Sequence, residues 1–560
     1  MTFRSILFDG LGEQQGPAVI DASPPPRPAW FDDLRLTEIV ANATAGREEL
    51  DLAPLFHLPL TSRAAVLYRH EVFRDLESPP ILAAIRRFGG TMAAMRGALV
   101  HVRRSGYRVE EQRWILAARE HYCAAVNGLA KDLAVIVAPE NVPAGVLAGA
   151  PRSAGLRALA AYLAEQVESG SFARLVADTR TQAAALAAVN YRLEIGGTRI
   201  RVSRWPGGTG TPAGGATPGN AAHAPTRAGS PSAGRLDREP NFGAEIRTTF
   251  ERFRQGSLRQ FAFETDESDA MNRLEAEIAG RVTRLFPDVF AALEAYCAAH
   301  ADFLDPTIVR FDREVQLYVA WLEHIERFRR VGLAFCYPDV QPGAPETHAS
   351  DVVDLALAAR RAADGEAVVP NSVSLCRPER ILVISGPNQG GKTTFARTLG
   401  QLHHLAALGL PVPGSQVRLA LVDRIFTHFE REEDLLTLTS KLEDELLRIR
   451  AILDAATPDS LVVLNESFGS TSLADALAIG RDVLGRIEAS DALCVFVTFL
   501  DELAALGPAV VSMVSTVDPV DPALRTFRIV RQAADGLAHA GALARKHRLT
   551  EAHLRERLAR

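Results

Sequence analysis

The sequence predicts a multidomain chain, with a mostly α-helical first part followed by a three-layer α/β domain on a largely parallel sheet. Three observations predict this. Apolar residues recur at helical spacing from Trp30 to about Val189 and again from about Phe242 to Phe335, with no strongly alternating strand in the first of these stretches. From about Asp351, short unbroken apolar runs alternate with helical segments, which is how a sheet covered by helices on both faces reads. One of those runs leads through a glycine-rich loop into a helix.

A chain of 560 residues has room for about two to four domains. With 47% hydrophobic and 23% charged residues, it has ample material for a soluble core. The net charge of -6 gives no global nucleic-acid footprint, although a local basic patch remains open. The basic residues are almost all arginine; the only lysines are Lys131, Lys392, Lys441 and Lys546. Five scattered cysteines form no Cys-x-x-Cys pair, so neither zinc nor a disulfide framework is expected and a reducing compartment is. The first residues lack the basic start and apolar core of a signal peptide, and no run of about 18 apolar residues offers a membrane span. A cytoplasmic protein with no membrane partner is expected.

Residues 1–29 read as an N-terminal extension, with the proline-rich stretch 21–29 as a spacer. Residues 30–345 read as the helical domain. In Val109 to Leu129, Trp114, Leu116, Ala117, Tyr122, Ala125 and Leu129 fall near a 3.6 period. Tyr191 to Ile195 and Thr198 to Val202 alternate apolar and charged residues about Gly196-Gly197, which predicts a β-hairpin with those glycines as its turn. Residues 206–240, rich in Gly, Pro, Ala, Ser and Thr, predict a disordered insert. Val315, Tyr318, Val319, Leu322, Ile325 and Phe328 form one apolar stripe, expected to face the core. Residues 346–545 read as the α/β domain, with strands expected over 380–385, 460–465 and 492–498, and residues 546–560 as a helical tail.

Gly386-Pro387-Asn388-Gln389-Gly390-Gly391-Lys392-Thr393 matches the G-x-x-x-x-G-K-[ST] phosphate loop. Its glycines let backbone N–H groups turn inward, and these donors with the following helix N-terminus cradle phosphate. Lys392, expected in a solvent-facing loop, would reach the β- and γ-phosphates, and the Thr393 hydroxyl would bind Mg²⁺. Thr394 completes the predicted ATP-binding set. The buried run Leu461 to Leu464 then delivers Asn465 and Glu466. Glu466 can act as general base on the attacking water. Asn465 stands where an Asp usually helps to hold Mg²⁺; it keeps an acceptor oxygen, acting through a water, but brings no charge.

The loop resembles the Gly-Pro-Asn-x-Gly-Gly-Lys-Ser/Thr loop of MutS-type DNA mismatch repair ATPases. Pro370-Asn371, Gly409-Leu-Pro-Val-Pro413, Asp423-Arg-Ile-Phe-Thr427, Glu433-Asp434-Leu435 with Ser440 and Glu445, and Asn465-Glu466 through Thr471-Ser472 to Asp475 are similar to further segments of that family, in order. More weakly, Pro59-Leu60 and Tyr68 to Val72 resemble the start of its helical lever. The resemblance implies a lever and core region ahead of a P-loop ATPase domain of ABC-like, MutS type, with ATP and Mg²⁺ as cofactors, Lys392 and Glu466 as catalytic groups, and a homodimer. In that dimer Ser440, at the start of a helix with Leu442, Leu446, Ile449 and Leu453 at apolar spacing, faces the γ-phosphate of the other subunit.

The departures qualify this. No Phe-x-Glu mismatch reader occurs in the first 60 residues, Asn465 replaces Asp, Leu438 replaces a glycine before the signature serine, and Phe499 stands where repair members carry His. The expectation is therefore an ATP-dependent DNA-binding clamp or switch of slow turnover that does not read mismatches. DNA would be reached through arginines such as Arg192, Arg199 and Arg201. The alternative is an ATP-dependent protein-interaction switch that does not bind DNA.

Overall fold

The computed structural model describes residues 3–8, 25–137, 151–196, 199–204, 271, 273–343, 346–429, 441–469, 471–521, 524–534 and 555. The expected insert 206–240, Ser440 and the segment Glu433–Leu435 lie outside them, as does most of the tail 546–560. Contacts divide the chain into two compact units. One comprises Met1–Arg86, Ala130–Ala164 and Pro306–Arg560, and the other Arg87–Leu129 and Glu165–Asp305. Among the described residues no helix is long and apolar enough to cross a membrane.

The described helices begin with α1 (Trp30–Asp33), α2 (Leu36–Thr44), α3 (Arg63–Leu76), α4 (Pro79–Arg104), α5 (Arg108–Val137), α6 (Ala154–Glu168) and α7 (Gly170–Ala187). A hairpin of β1 (Tyr191–Gly196) and β2 (Arg199–Arg204) follows, then α8 (Arg273–Leu285), α9 (Pro287–Ala299) and α10 (Pro306–Arg329). In the second unit, Leu116, Leu186, Ile278, Val282, Phe290 and Leu293 form one core. The hairpin lays Tyr191, Leu193, Ile200 and Val202 against it. Its other face exposes Arg192, Glu194 and Arg201, with Glu194 opposite Arg201. The register pairs Gly196 with Arg199. Gly196 is therefore a paired residue of β1 rather than part of the turn, because the apolar face sets the register.

In the first unit α10 buries the whole predicted stripe from Val315 to Phe328, together with Trp321. Each such side chain contributes about 1.5–3 kcal/mol of transfer free energy. Beyond it come β3 (Phe335–Cys336), β4 (Asp339–Gln341), β5 (Glu346–Val352), α11 (Leu355–Ala363), β6 (Asn371–Cys376) and β7 (Ile381–Ser385). Then follow α12 (Lys392–Ala407), β8 (Val412–Pro413), β9 (Gln416–Ala420), β10 (Arg424–Phe429) and α13 (Lys441–Ala455). The last elements are β11 (Ser460–Asn465), α14 (Leu473–Ser490), β12 (Leu493–Val497), β13 (Val510–Val517) and β14 (Arg525–Arg531).

Six strands form a sheet in the order β10-β11-β12-β7-β13-β14, parallel except for β14. β7, β11 and β12 are buried along their whole length, as their unbroken apolar sequences require. Val462, Leu464, Phe496 and Ile381 pack with Ile449 of α13 and Val483, Leu484 and Ile487 of α14. Within α13 the stripe differs from expectation: Leu446 is exposed, and Ile452 packs against this core instead. A smaller mixed sheet, β4-β9-β5-β6, was not legible in the sequence.

The N-terminal residues fold in the same unit as this domain. The Gln401 amide of α12 donates to Leu34 O at 2.9 Å, and Arg397 Nε donates to Asp33 O at 3.0 Å. Gly400, in the middle of α12, lets Leu34 come close; a Cβ there would stand 2.5 Å from Leu34 Cδ2.

Candidate functional site

β7 ends in the predicted phosphate loop, and α12 starts at Lys392 directly after it. One neighbour, Ser515, dictates two of the glycines. A Cβ on Gly386, whose φ is +110°, would stand 2.8 Å from Ser515 O, and one on Gly390 would stand 2.2 Å from Ser515 Oγ. Ser515, on the adjacent strand β13, also donates its hydroxyl to Gly390 O at 2.7 Å. The loop is thus seated on β13, and on its outer side Arg525 Nε donates to Asn388 O at 3.1 Å.

Lys392 is buried rather than solvent-facing, with only 4% of its surface exposed. Its Nζ donates to Gly386 O at 2.8 Å, Asn388 Oδ1 at 3.2 Å and Pro387 O at 3.3 Å, so the loop folds around its own lysine. Burial lowers the ammonium pKa, while the nearby Glu466 carboxylate acts in the opposite direction.

A cavity of about 380 Å³ opens at this point. Gln389, Gly390, Gly391, Lys392, Thr393, Thr394 and Glu466 all line it. Of the other predicted residues, Gly386, Pro387 and Asn388 accept hydrogen bonds from Lys392 and do not line the cavity, and Asn465 precedes Glu466 at the end of β11. Ser440, the predicted trans contact, is outside the described residues. Glu445, from the same segment, is buried in α13 with its Oε1 3.8 Å from His428 Nε2.

Glu466 is half-buried, and its N–H donates to Val497 O at 2.9 Å. Its φ is 52°, and that of the buried Phe468 is 69°. Two non-glycine residues in the left-handed region within three positions mark a turn that the surrounding packing must hold in place. Beside it, the buried Asn465 Oδ1 and Ser467 Oγ have no hydrogen-bond partner. An unsatisfied buried acceptor costs about 1–3 kcal/mol, which a ligand or water at that oxygen would offset.

The rest of the cavity was not foreseen. Val352, Leu357, Val368 and Val369 give it an apolar side, and Phe527 of β14 closes it beside Gly391. Asn371 holds Phe527 there: its Nδ2 donates to Phe527 O at 3.1 Å, and its Oδ1 accepts from Ile529 N at 2.7 Å. The Pro370-Asn371 pair points to Asn371, but nothing in the pattern around Phe527 signals a site residue. Phe499 is exposed on the loop after β12, and the hydroxyl of its neighbour Thr498 accepts from Leu500 N.

An apolar lining together with residues of the glycine-rich loop, one lysine and one carboxylate suits a ligand with an apolar ring and an anionic tail. Residues 382–540 match the family model MutS domain V, and this segment contains the loop, Asn465 and Glu466. The chain is similar to the DNA mismatch repair protein MutS 2 of Halobacterium salinarum, with 38% identity over 138 residues, 24% of this chain and 16% of that protein. It is also similar to the DNA mismatch repair protein MutS of Granulibacter bethesdensis, with 30% identity over 257 residues, 45% and 27% of the two chains. The MutS of Zymomonas mobilis is 37% identical over 143 residues, 25% and 16% of the two. The chain thus aligns with between 16% and 27% of the length of these relatives. Over this C-terminal part, the chain is similar to MutS proteins.

Proposed function

We propose that this protein binds and slowly hydrolyses ATP in an ABC-like three-layer ATPase domain, and that nucleotide binding drives a dimeric clamp or switch acting on DNA without reading mismatches. The observation that carries the reading is the convergence of Gln389 to Thr394 and Glu466 on one cavity whose other side is apolar. The adenine lies between the apolar side and Phe527, and the triphosphate lies along the loop N–H groups and the start of α12. Lys392 exchanges the loop carbonyls for phosphate oxygens. Glu466 orients a water and accepts its proton.

The donor set suits Mg²⁺. The unpartnered Asn465 Oδ1 and the Thr393 hydroxyl would hold it, Asn465 through a water. When bound, the ion neutralises charge on the phosphates. Asn465 adds no negative charge, which supports slow turnover, below the enzyme median of about 10 s⁻¹.

The exposed hairpin face with Arg192 and Arg201 supports phosphate contact with DNA. The relatives named for mismatch repair support the same class. Two measurements test the proposal. Lys392→Ala should abolish tight ATP binding; wild-type ATP affinity in that variant would remove the loop from the mechanism. A DNA gel shift at rising salt, with and without ATP, should show binding that weakens with salt. ATP binding with no shift at any salt would favour the protein-interaction switch.

A further inference from the structure

Residues 3–8 run across α3 and α10 with no strand pairing of their own. Four consecutive carbonyls nevertheless accept from side chains. Arg4 O accepts from Arg310 at 3.5 Å, Ser5 O from the Tyr68 hydroxyl at 2.9 Å, Ile6 O from the Tyr318 hydroxyl at 2.7 Å and Leu7 O from Arg69 Nε at 3.1 Å. The Glu314 carboxylate accepts from Ser5 Oγ at 2.8 Å and from Ile6 N at 2.9 Å. The Ser5 hydroxyl in turn accepts from Leu7 N and Phe8 N. Phe3, Ile6 and Leu7 are buried, and the Phe3 ring meets Phe311 edge-on. Side chains thus read the backbone while apolar pockets take Phe3, Ile6 and Leu7, which is how a groove holds an extended peptide.

The groove is tied to the nucleotide domain through Arg69. The same buried guanidinium that holds Leu7 O donates through Nη1 to Leu408 O at 2.8 Å, and Leu408 caps the C-terminus of α12. The other end of α12 carries Lys392 and Thr393. Without residues 5–8, Arg69 and Glu314 would each lose partners while buried, so the groove is costly to leave empty.

We propose that the α3/α10 groove is a peptide-binding site whose occupant is the chain's own N-terminal residues 3–8, and that its occupancy is coupled through Arg69 and α12 to nucleotide affinity. The coupling rests on the ATP reading above; the groove itself does not.

The test inserts a site-specific protease site between residues 15 and 16 of the full chain. After cleavage, a fluorescent synthetic peptide of residues 1–8 should exchange into the groove saturably. A peptide carrying Ser5→Ala and Ile6→Ala should compete at least about tenfold more weakly, the range expected when a buried anchor is truncated. Diluting the occupant away should change the ATP dissociation constant by about 5- to 10-fold, a typical coupling between sites, and added peptide should restore it. Failure of the labelled peptide to exchange would overturn the groove. Exchange with unchanged ATP affinity would overturn the coupling. An uncleaved chain that binds no ATP would instead defeat the nucleotide reading, leaving the exchange result to decide the groove.

Precipitation on loss of the peptide would count against a separable occupant, and Ile6→Ala in the uncleaved chain checks that outcome independently. Faster hydrogen exchange confined to residues 3–8, with an unchanged global melting temperature, is the expected result. A fall in global melting temperature would make the segment an integral part of the core and overturn the proposal.

Discussion

The contact between Leu34 and Gly400 carries a sign that can be worked out in advance. A Cβ built on Gly400 lies 2.5 Å from Leu34 Cδ2 and 2.8 Å from Cδ1, about 0.7 Å or more inside ordinary carbon contact at about 3.5–4.0 Å. Leu34 is fully buried, so its methyls have no solvent to move into. Overpacking of this kind costs about 1–3 kcal/mol. Replacing glycine by alanine inside a helix gains about 1 kcal/mol. Gly400→Ala should therefore be neutral or destabilising by up to about 2 kcal/mol, despite improving helix propensity. Leu34→Ala should cost about 2–5 kcal/mol through the cavity that it leaves. In the Leu34→Ala background the clash is gone, and Gly400→Ala should then stabilise by about 1 kcal/mol. The coupling in the double-mutant cycle should come to about 1–3 kcal/mol. Urea unfolding of the four proteins measures it. If Gly400→Ala stabilises the parent chain as much as it stabilises Leu34→Ala, the N-terminal segment does not pack on α12 as described.

Glu466→Gln should leave ATP binding intact and reduce turnover by about 10²-fold or more, whereas Asn465→Asp should keep turnover or Mg²⁺ affinity level or raise it. Steady-state hydrolysis and ATP titrations check both, and an unchanged rate in Glu466→Gln would remove that residue from the mechanism. Acid should destabilise the first unit steeply. Burial, the leading cause at each, lowers His70, His324, His403 and His404 to about 4. These groups are neutral when folded but titrate near 6.5 when unfolded, so their stabilisation is complete above about pH 6.5 and is lost as pH falls toward 4. At pH 5 each accounts for about 2 kcal/mol; a urea midpoint unchanged between pH 7 and pH 5 would contradict their burial. DNA binding should be indifferent to a single mismatch, and preference for a mismatched duplex over its matched control at equal salt would show a reader that has not been located.

Much of the architecture was legible because it depends on local rules. The runs Ile381–Ser385, Ser460–Asn465 and Leu493–Val497 are strands because unbroken apolar sequence between turn signals suits a doubly covered sheet. The stripe of α10 follows the 3.6 period, and the strand, glycine-rich loop and helix around Gly386 to Thr393 lie where the sequence pattern puts them. The hairpin is legible as a hairpin, but Gly196 pairs with Arg199 within the strands instead of opening the turn, since turn chemistry is a weaker constraint than the register of a buried face.

By itself, the sequence determined the long helices, the buried strands of the larger sheet and the glycine-rich turn between β7 and α12, for these follow from residue type and near spacing. Only the tertiary structure decided the rest. It brought Phe527 and the slot of Val352, Leu357, Val368 and Val369 to the loop, and it folded Lys392 inward onto its own carbonyls. It seated Gly386 and Gly390 on Ser515, and it laid Leu34 and residues 3–8 on parts of the chain hundreds of positions away. Each of these contacts joins segments that no periodicity links. Their partners are chosen by shape and by the need of buried polar groups for hydrogen bonds, and both are properties of the packed chain.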